Sequence, residues 1–468
     1  MSGTPVPVPA GASAARPDGP GSTGPGGTGA TGGLGLTRPS GTPRRPARRP
    51  RTDRWTTAWL LATLVVTGVG LLRPAVLPQP LWSMIHVGAL GVLTNGILQW
   101  SWYFTRALLH LPPDDVRSGR DATVRSVAFN VVLIGLVAEM WTASTWGTVT
   151  AAGLVGVVIG WHGLALLRAG RTALASRFAV VIRYYVVAAG FLVIGCVLAG
   201  FLTVSMFART APTWLLHARD DLTLAHALVN VGGWLGLSIA GTLVTLGPTM
   251  LRTRMDPRAV DDAIGVLPWV AGGVLLAATS ATAGLMPGIG IGLLVVLAGL
   301  LVGVAVPLVR AALGKAPRAY ATWTMTAGIG WALVAVLAIA VNAFRAADAS
   351  ALRDADLPWL AVLGAGGLAQ VFVGALTYLM PVVVGGGPEA VRQGMGVLET
   401  GWPLRVVLRS TALLLIAVTG TGAGALRTAW WLLVLGAYAF DVVLFALSGV
   451  RQAKARRAAV ESLGGADV

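Results

Sequence analysis

Between residues 55 and 449 the chain is a succession of apolar stretches, most of them close to or longer than the ~20 residues that carry a helix across a bilayer. No other feature limits the fold as tightly. In hydrocarbon every backbone N–H and C=O must be paired within the segment or in a closed barrel, and uninterrupted apolar runs of this length select the helix. Only 12% of the 468 residues are charged, against about 25% in soluble domains. The fold class is therefore an all-α, multi-pass membrane protein embedded in a lipid bilayer.

The runs predict twelve spans, at roughly 55–72, 81–109, 123–143, 145–168, 183–207, 222–251, 264–285, 288–312, 322–345, 357–384, 404–424 and 427–449. The links between them give an independent check. Arg117, Arg120, Arg171, Arg177, Arg252, Arg254, Arg258, Lys315, Arg318 and Arg392 fall on one side, with the N-terminal cluster from Arg44 to Arg54 and the C-terminal Arg451, Lys454, Arg456 and Arg457. The other side carries only Arg73, Arg209, Arg219, Arg345, Arg353 and Arg427. Positive residues stay inside, so both termini are expected in the cytoplasm. The net charge of +16 follows from this topology and is not a nucleic-acid footprint.

Three regions follow. Residues 1–54, rich in Pro, Gly and Arg, form a disordered cytoplasmic tail. Residues 55–450 form the twelve-helix domain, and residues 451–468 a basic cytoplasmic tail. The chain has a single cysteine, Cys196, so it can form neither an internal disulfide nor a cysteine-based metal cluster. It has no Walker loop, no zinc helix of the His-Glu-x-x-His type and no serine nucleophile elbow.

The sixth span is the one around which the rest is arranged. It places His226 near its outer start, Asn230 four residues on, then a small-residue track of Gly232, Gly233, Gly236, Ser238 and Gly241, with Pro248 near its far end. Such a track lets a helix or a flat cofactor approach closely. The second span carries His86 at a matching depth. Two imidazoles at one level on different helices suit axial ligation of a haem or part of a copper site, with a neighbouring acceptor fixing each ring. Asn95, Gln99, Glu139, Asn230 and Gln370 are the polar candidates for that support. An ordinary interhelical hydrogen bond is the competing explanation for each histidine. His110 and His162 read as inner-surface groups, His217 as a loop residue, and Asp441 as a proton-relay or structural carboxylate.

There is also internal recurrence. The sixth span has Gly241-x-Leu243-x-x-Leu246-x-Pro248 and the tenth has Gly374-x-Leu376-x-x-Leu379-x-Pro381, while the second repeats the early histidine with following glycines. The period is four helices.

These residues resemble a known family. The segments HVGALGVLTNGILQWSW from His86, AHALVNVGGWLGLSIAGTLVTLGPTMLRTRM from Ala225 and GALTYLMPVVVGGGP from Gly374 are similar to those of actinobacterial membrane proteins described as the membrane region of copper oxidase or copper nitrite reductase proteins. More broadly, the chain resembles the catalytic subunit of haem–copper oxidases and nitric oxide reductases. The resemblance implies a pseudo-three-fold bundle of twelve helices in the bacterial plasma membrane. It also implies haem b or copper at His86 and His226, and a cupredoxin-type redox partner. The chain departs from the family where oxidases carry histidines on the tenth span and a pair on the seventh; it has none at either place, so a complete binuclear oxygen- or nitric-oxide-reducing centre is excluded. The expected role is electron transfer or metal and nitrogen-oxide homeostasis rather than turnover by this chain alone. A secondary transporter of a small solute and a non-catalytic membrane anchor are the alternative readings.

Overall fold

A computed structural model describes residues 53–109, 116–171, 179–314, 318–419 and 424–464. The N-terminal region expected to be disordered, His110, Arg177 and Lys315 lie outside the described residues.

Among the described residues the chain is helical, with no strand. The main helices are α1 (Arg54–Leu72), α2 (Pro80–Leu108), α3 (Arg120–Trp141), α4 (Thr145–Arg171), α5 (Ala179–Phe207), α6 (Arg219–Leu251), α7 (Ala259–Thr282), α8 (Met286–Gly314), α9 (Tyr320–Arg345) and α10 (Ala349–Val384). They are followed by α11 (Pro388–Leu398), α12 (Trp402–Val418) and α13 (Gly424–Gly464). Among the described residues, eleven helices are individually long and apolar enough to cross a membrane; α11 and α12, bent by 43° from one another, make a twelfth if they are one span.

The turns are tight where the sequence leaves no room for a loop. Ala143 adopts φ 54° between α3 and α4, and the Ser144 side chain accepts the Gly147 N–H at the start of α4. Gly284, at φ 68°, makes the corner into α8, where Pro287 fits the first turn. Gly385, Gly386 and Gly387 all have positive φ and end α10, which an L side chain would resist.

More than half of the α6 window (56%) is buried, against 6% for α1, so α6 is central and α1 peripheral. The small residues serve packing. A Cβ on Gly233 would come within 2.4 Å of the Phe191 ring, and one on Gly241 within 2.5 Å of Tyr184. Gly233 and Gly241 are thus closed over by α5, while Gly232 faces Val274 of α7. Pro248 does not interrupt α6, because it lies in the last turn and helix continues to Leu251.

One further expectation needs correction. Residues 385–403 are not a loop throughout, since α11 lies there. Its buried face of Ala390, Gly394, Val397 and Leu398 packs on α13, where the Ser448 hydroxyl donates to Gly394 O at 2.8 Å. The polar residues Glu389, Arg392 and Gln393 on its other face hide it from an apolar-window reading. The basic tail expected from residue 451 continues α13 as one helix as far as Gly464.

Candidate functional site

α2 changes from α- to π-helical winding directly after His86, and α6 one residue after His226. The π segments are Val87–Thr94 and Leu228–Gly236, and α10 has another at Leu363–Leu368, with a short one in α8 at Leu301–Ala305. Such segments are rare and concentrate at functional sites. The two that follow the histidines are pinned together, with the buried Trp234 Nε1–H donating to Thr94 Oγ1 at 2.9 Å.

Above that bond the histidines meet. The ring centroids of His86 and His226 are 6.1 Å apart, with 25° between the ring planes. Trp82, one turn before His86, stacks on it at 4.3 Å. Nδ1 of His86 lies 2.9 Å from Trp82 O, and Nδ1 of His226 lies 3.0 Å from Gly195 O. A carbonyl can only accept, so each Nδ1 carries the proton and each Nε2 keeps its lone pair. Asn230 completes the group. Its amide nitrogen donates to His226 O at 2.8 Å and stands 3.3 Å from His226 Nε2, while its buried Oδ1 has no partner. Gly195 is required beside it, because a Cβ there would fall 2.0 Å from Asn230 Oδ1.

The two rings lie nearly parallel at 6.1 Å between centroids, close enough for both imidazoles to reach one ion at about 2.0–2.1 Å once their Nε2 atoms turn toward it. Among the described residues no group of three or more His, Cys, Asp or Glu could hold a metal. Tetrahedral zinc needs four ligands and does not fit. Two nitrogens suffice for a haem iron, whose macrocycle supplies the other four, or for a copper ion of low coordination number.

Of the other residues expected to support the pair, only Asn230 touches it through a described hydrogen bond. Asn95 bonds Gly91 O and Asn130 instead. The Glu139 carboxylate sits over Gly147, beside Ser144, at the α3–α4 turn. Gln370 donates to Gly366 O within α10 and is fully buried. Gln99 lies on α2 beyond Asn95 and has partners of its own. His162 is not at a surface; it is buried, with Nε2 2.8 Å from Ser101 Oγ. His217 is exposed, as expected for a loop histidine.

A second polar cluster is built around Asp441, the carboxylate expected from the sequence to be a relay or structural group. Asp441 of α13, 1% exposed, accepts from Arg405 Nη1 at 2.5 Å and Arg409 Nη2 at 2.7 Å of α12, and from the Tyr320 hydroxyl of α9 at 2.7 Å. Arg405 also donates to Leu398 O and lies over the Tyr320 ring at 3.6 Å. Glu399 accepts the Tyr320 N–H at 2.9 Å. The carboxylate is saturated with donors, so Asp441 is a structural anchor joining α9, α12 and α13 at the α11–α12 bend. The partners left one further sequence signal, the i, i+4 spacing of Arg405 and Arg409 in an apolar helix. Elsewhere, Arg353 of α10 pairs with Asp220 of α6 at 2.5 Å, which brings the starts of these helices together.

No protein-family model matches this chain, and no curated protein matches it.

Proposed function

We propose that the chain is an electron-transfer or metal-homeostasis protein of the haem–copper-oxidase-like type, in which His86 and His226 together hold a haem b iron or a copper ion. The carrying observation is the 6.1 Å separation of two imidazoles whose Nδ1 atoms are both tied to backbone carbonyls. That arrangement fixes each tautomer and orients each ring before any metal arrives. Such a centre supplies one-electron redox chemistry. The protein's own part is to hold both Nε2 atoms in place, to shield one face of His86 with Trp82, and to keep the π segments beneath in register through Trp234 and Thr94.

A pseudo-three-fold layout has support of its own. π segments recur in α2, α6 and α10, and in each of these a glycine is closed over by the preceding helix: Gly91 by Trp59, Gly241 by Tyr184 and Gly374 by Ala321 and Met325. This recurrence supports the four-helix period, although α8 carries a short π segment outside it. With the basic residues inside, the histidine pair lies toward the outer face of the plasma membrane, at about 9–11 Å from the starts of α2 and α6. A soluble cupredoxin-type partner would dock there. The test is the haem, iron and copper content of the purified protein with and without each histidine. Solute uptake by a metal-free protein would instead favour a transporter.

A further inference from the structure

We propose that the exposed stripe Arg451, Lys454 and Arg457 is a binding surface for anionic phospholipid headgroups in the leaflet where α13 leaves the membrane. The exposed large apolar residues Val443, Leu447 and Val450 fall on one side of α13, at spacings of four and three. In a membrane helix such a stripe faces lipid tails. Continuing the same spacing gives Lys454 and Arg457, with Arg451 beside them, all three exposed. The helix face that is apolar up to Val450 is therefore basic from the next residue on.

This face points away from the bundle because the opposite one is fastened to it. The Gln452 amide donates to Pro381 O at 2.6 Å and to Gly385 O at 2.8 Å, and Gln452 is fully buried. Arg456, on that inner side, packs its stem against Gly386. The extension is thus a rigid continuation of a span. At about 1.5 Å per residue, Arg451 and Lys454 lie within about 6 Å of the apolar boundary, inside a headgroup layer about 5–8 Å thick, and Arg457 at about 10 Å stands just past it, where its long side chain reaches back to the phosphates. Cations at that depth meet phosphates of lipids within one Debye length, and each contributes to a preference for anionic over zwitterionic lipid. An acidic protein would have to reach past the headgroups to the same residues, which makes lipid the favoured occupant.

The test uses the full chain in phosphatidylcholine vesicles containing trace spin-labelled phosphatidylglycerol or spin-labelled phosphatidylcholine. The motionally restricted fraction of each label gives their relative association with the protein. The wild type should prefer phosphatidylglycerol by about tenfold at its most selective sites at low salt. R451Q/K454Q/R457Q should lose most of that preference, as should the wild type in 1 M NaCl. K454Q and R457Q alone should each lose part of it, which keeps the test decisive if the triple variant does not fold. Equal selectivity in the wild type and the variants overturns the proposal. So does displacement by inorganic phosphate at matched ionic strength, which would mark a phosphate site rather than a lipid surface.

Discussion

His86 and His226, 140 residues apart in the chain, stand 6.1 Å apart between ring centroids, and the π segments that follow them are joined by a hydrogen bond from Trp234 to Thr94. The placing of the two rings depends on helix register as much as on the side chains themselves. A π segment widens the helix by about one residue and shifts the preceding side chain around the axis. The tie between Trp234 and Thr94 holds both shifts together.

Replacing Thr94 with Val should destabilise the protein by about 1–3 kcal/mol, since it strands the buried Trp234 N–H; Trp234→Phe leaves the Thr94 hydroxyl its bond to Ala89 O. The double variant should cost less than the sum of the two single changes, because the stranded N–H is then gone. Thermal unfolding in detergent across the four proteins measures this. Strict additivity would mean that the bond does not couple the segments.

Two glycines on α5 make a paired test. A Cβ on Gly195 would lie 2.0 Å from Asn230 Oδ1, whereas one on Gly190 meets nothing within 4 Å. G195A should displace Asn230, loosen His226 and cost about 1–3 kcal/mol as overpacking does. G190A should be neutral or slightly stabilising through helix propensity. Equal stability and metal content in the two variants would contradict the packing described.

Asp441 holds two buried guanidiniums. D441N should destabilise the protein by about 3–5 kcal/mol, the cost of leaving buried charge uncompensated. D220N, which breaks the more exposed pair with Arg353, should cost no more than about 1 kcal/mol. Protease sensitivity of the α11–α12 bend and thermal unfolding both report on these changes. A D441N protein as stable as D220N would remove the anchoring role of the cluster.

The legible parts of the fold were those governed by lengths and rare residues. Apolar runs gave the spans, and His86 and His226 stood out because ionisable groups inside such runs are scarce. Their support was less visible. Asn230 could be read because it lies one turn from His226, while the carbonyls of Trp82 and Gly195 carry no sequence signature. The Asp441 cluster joins residues 32, 36 and 121 positions apart, which no local pattern records. α11 was hidden because an interfacial amphipathic helix is too polar for a hydropathy window. The π segments depend on packing between helices, since their glycine-rich sequences do not differ from α-helical ones.

The most direct test of the central claim is the reduced-minus-oxidised absorption spectrum of the purified protein, with iron and copper analysis, beside H86A and H226A. The account predicts one haem or one copper per chain in the wild type, with its spectrum lost or altered in each variant. A protein free of iron and copper after expression with haem precursor and copper supplied, and equally folded in all three forms, would contradict it.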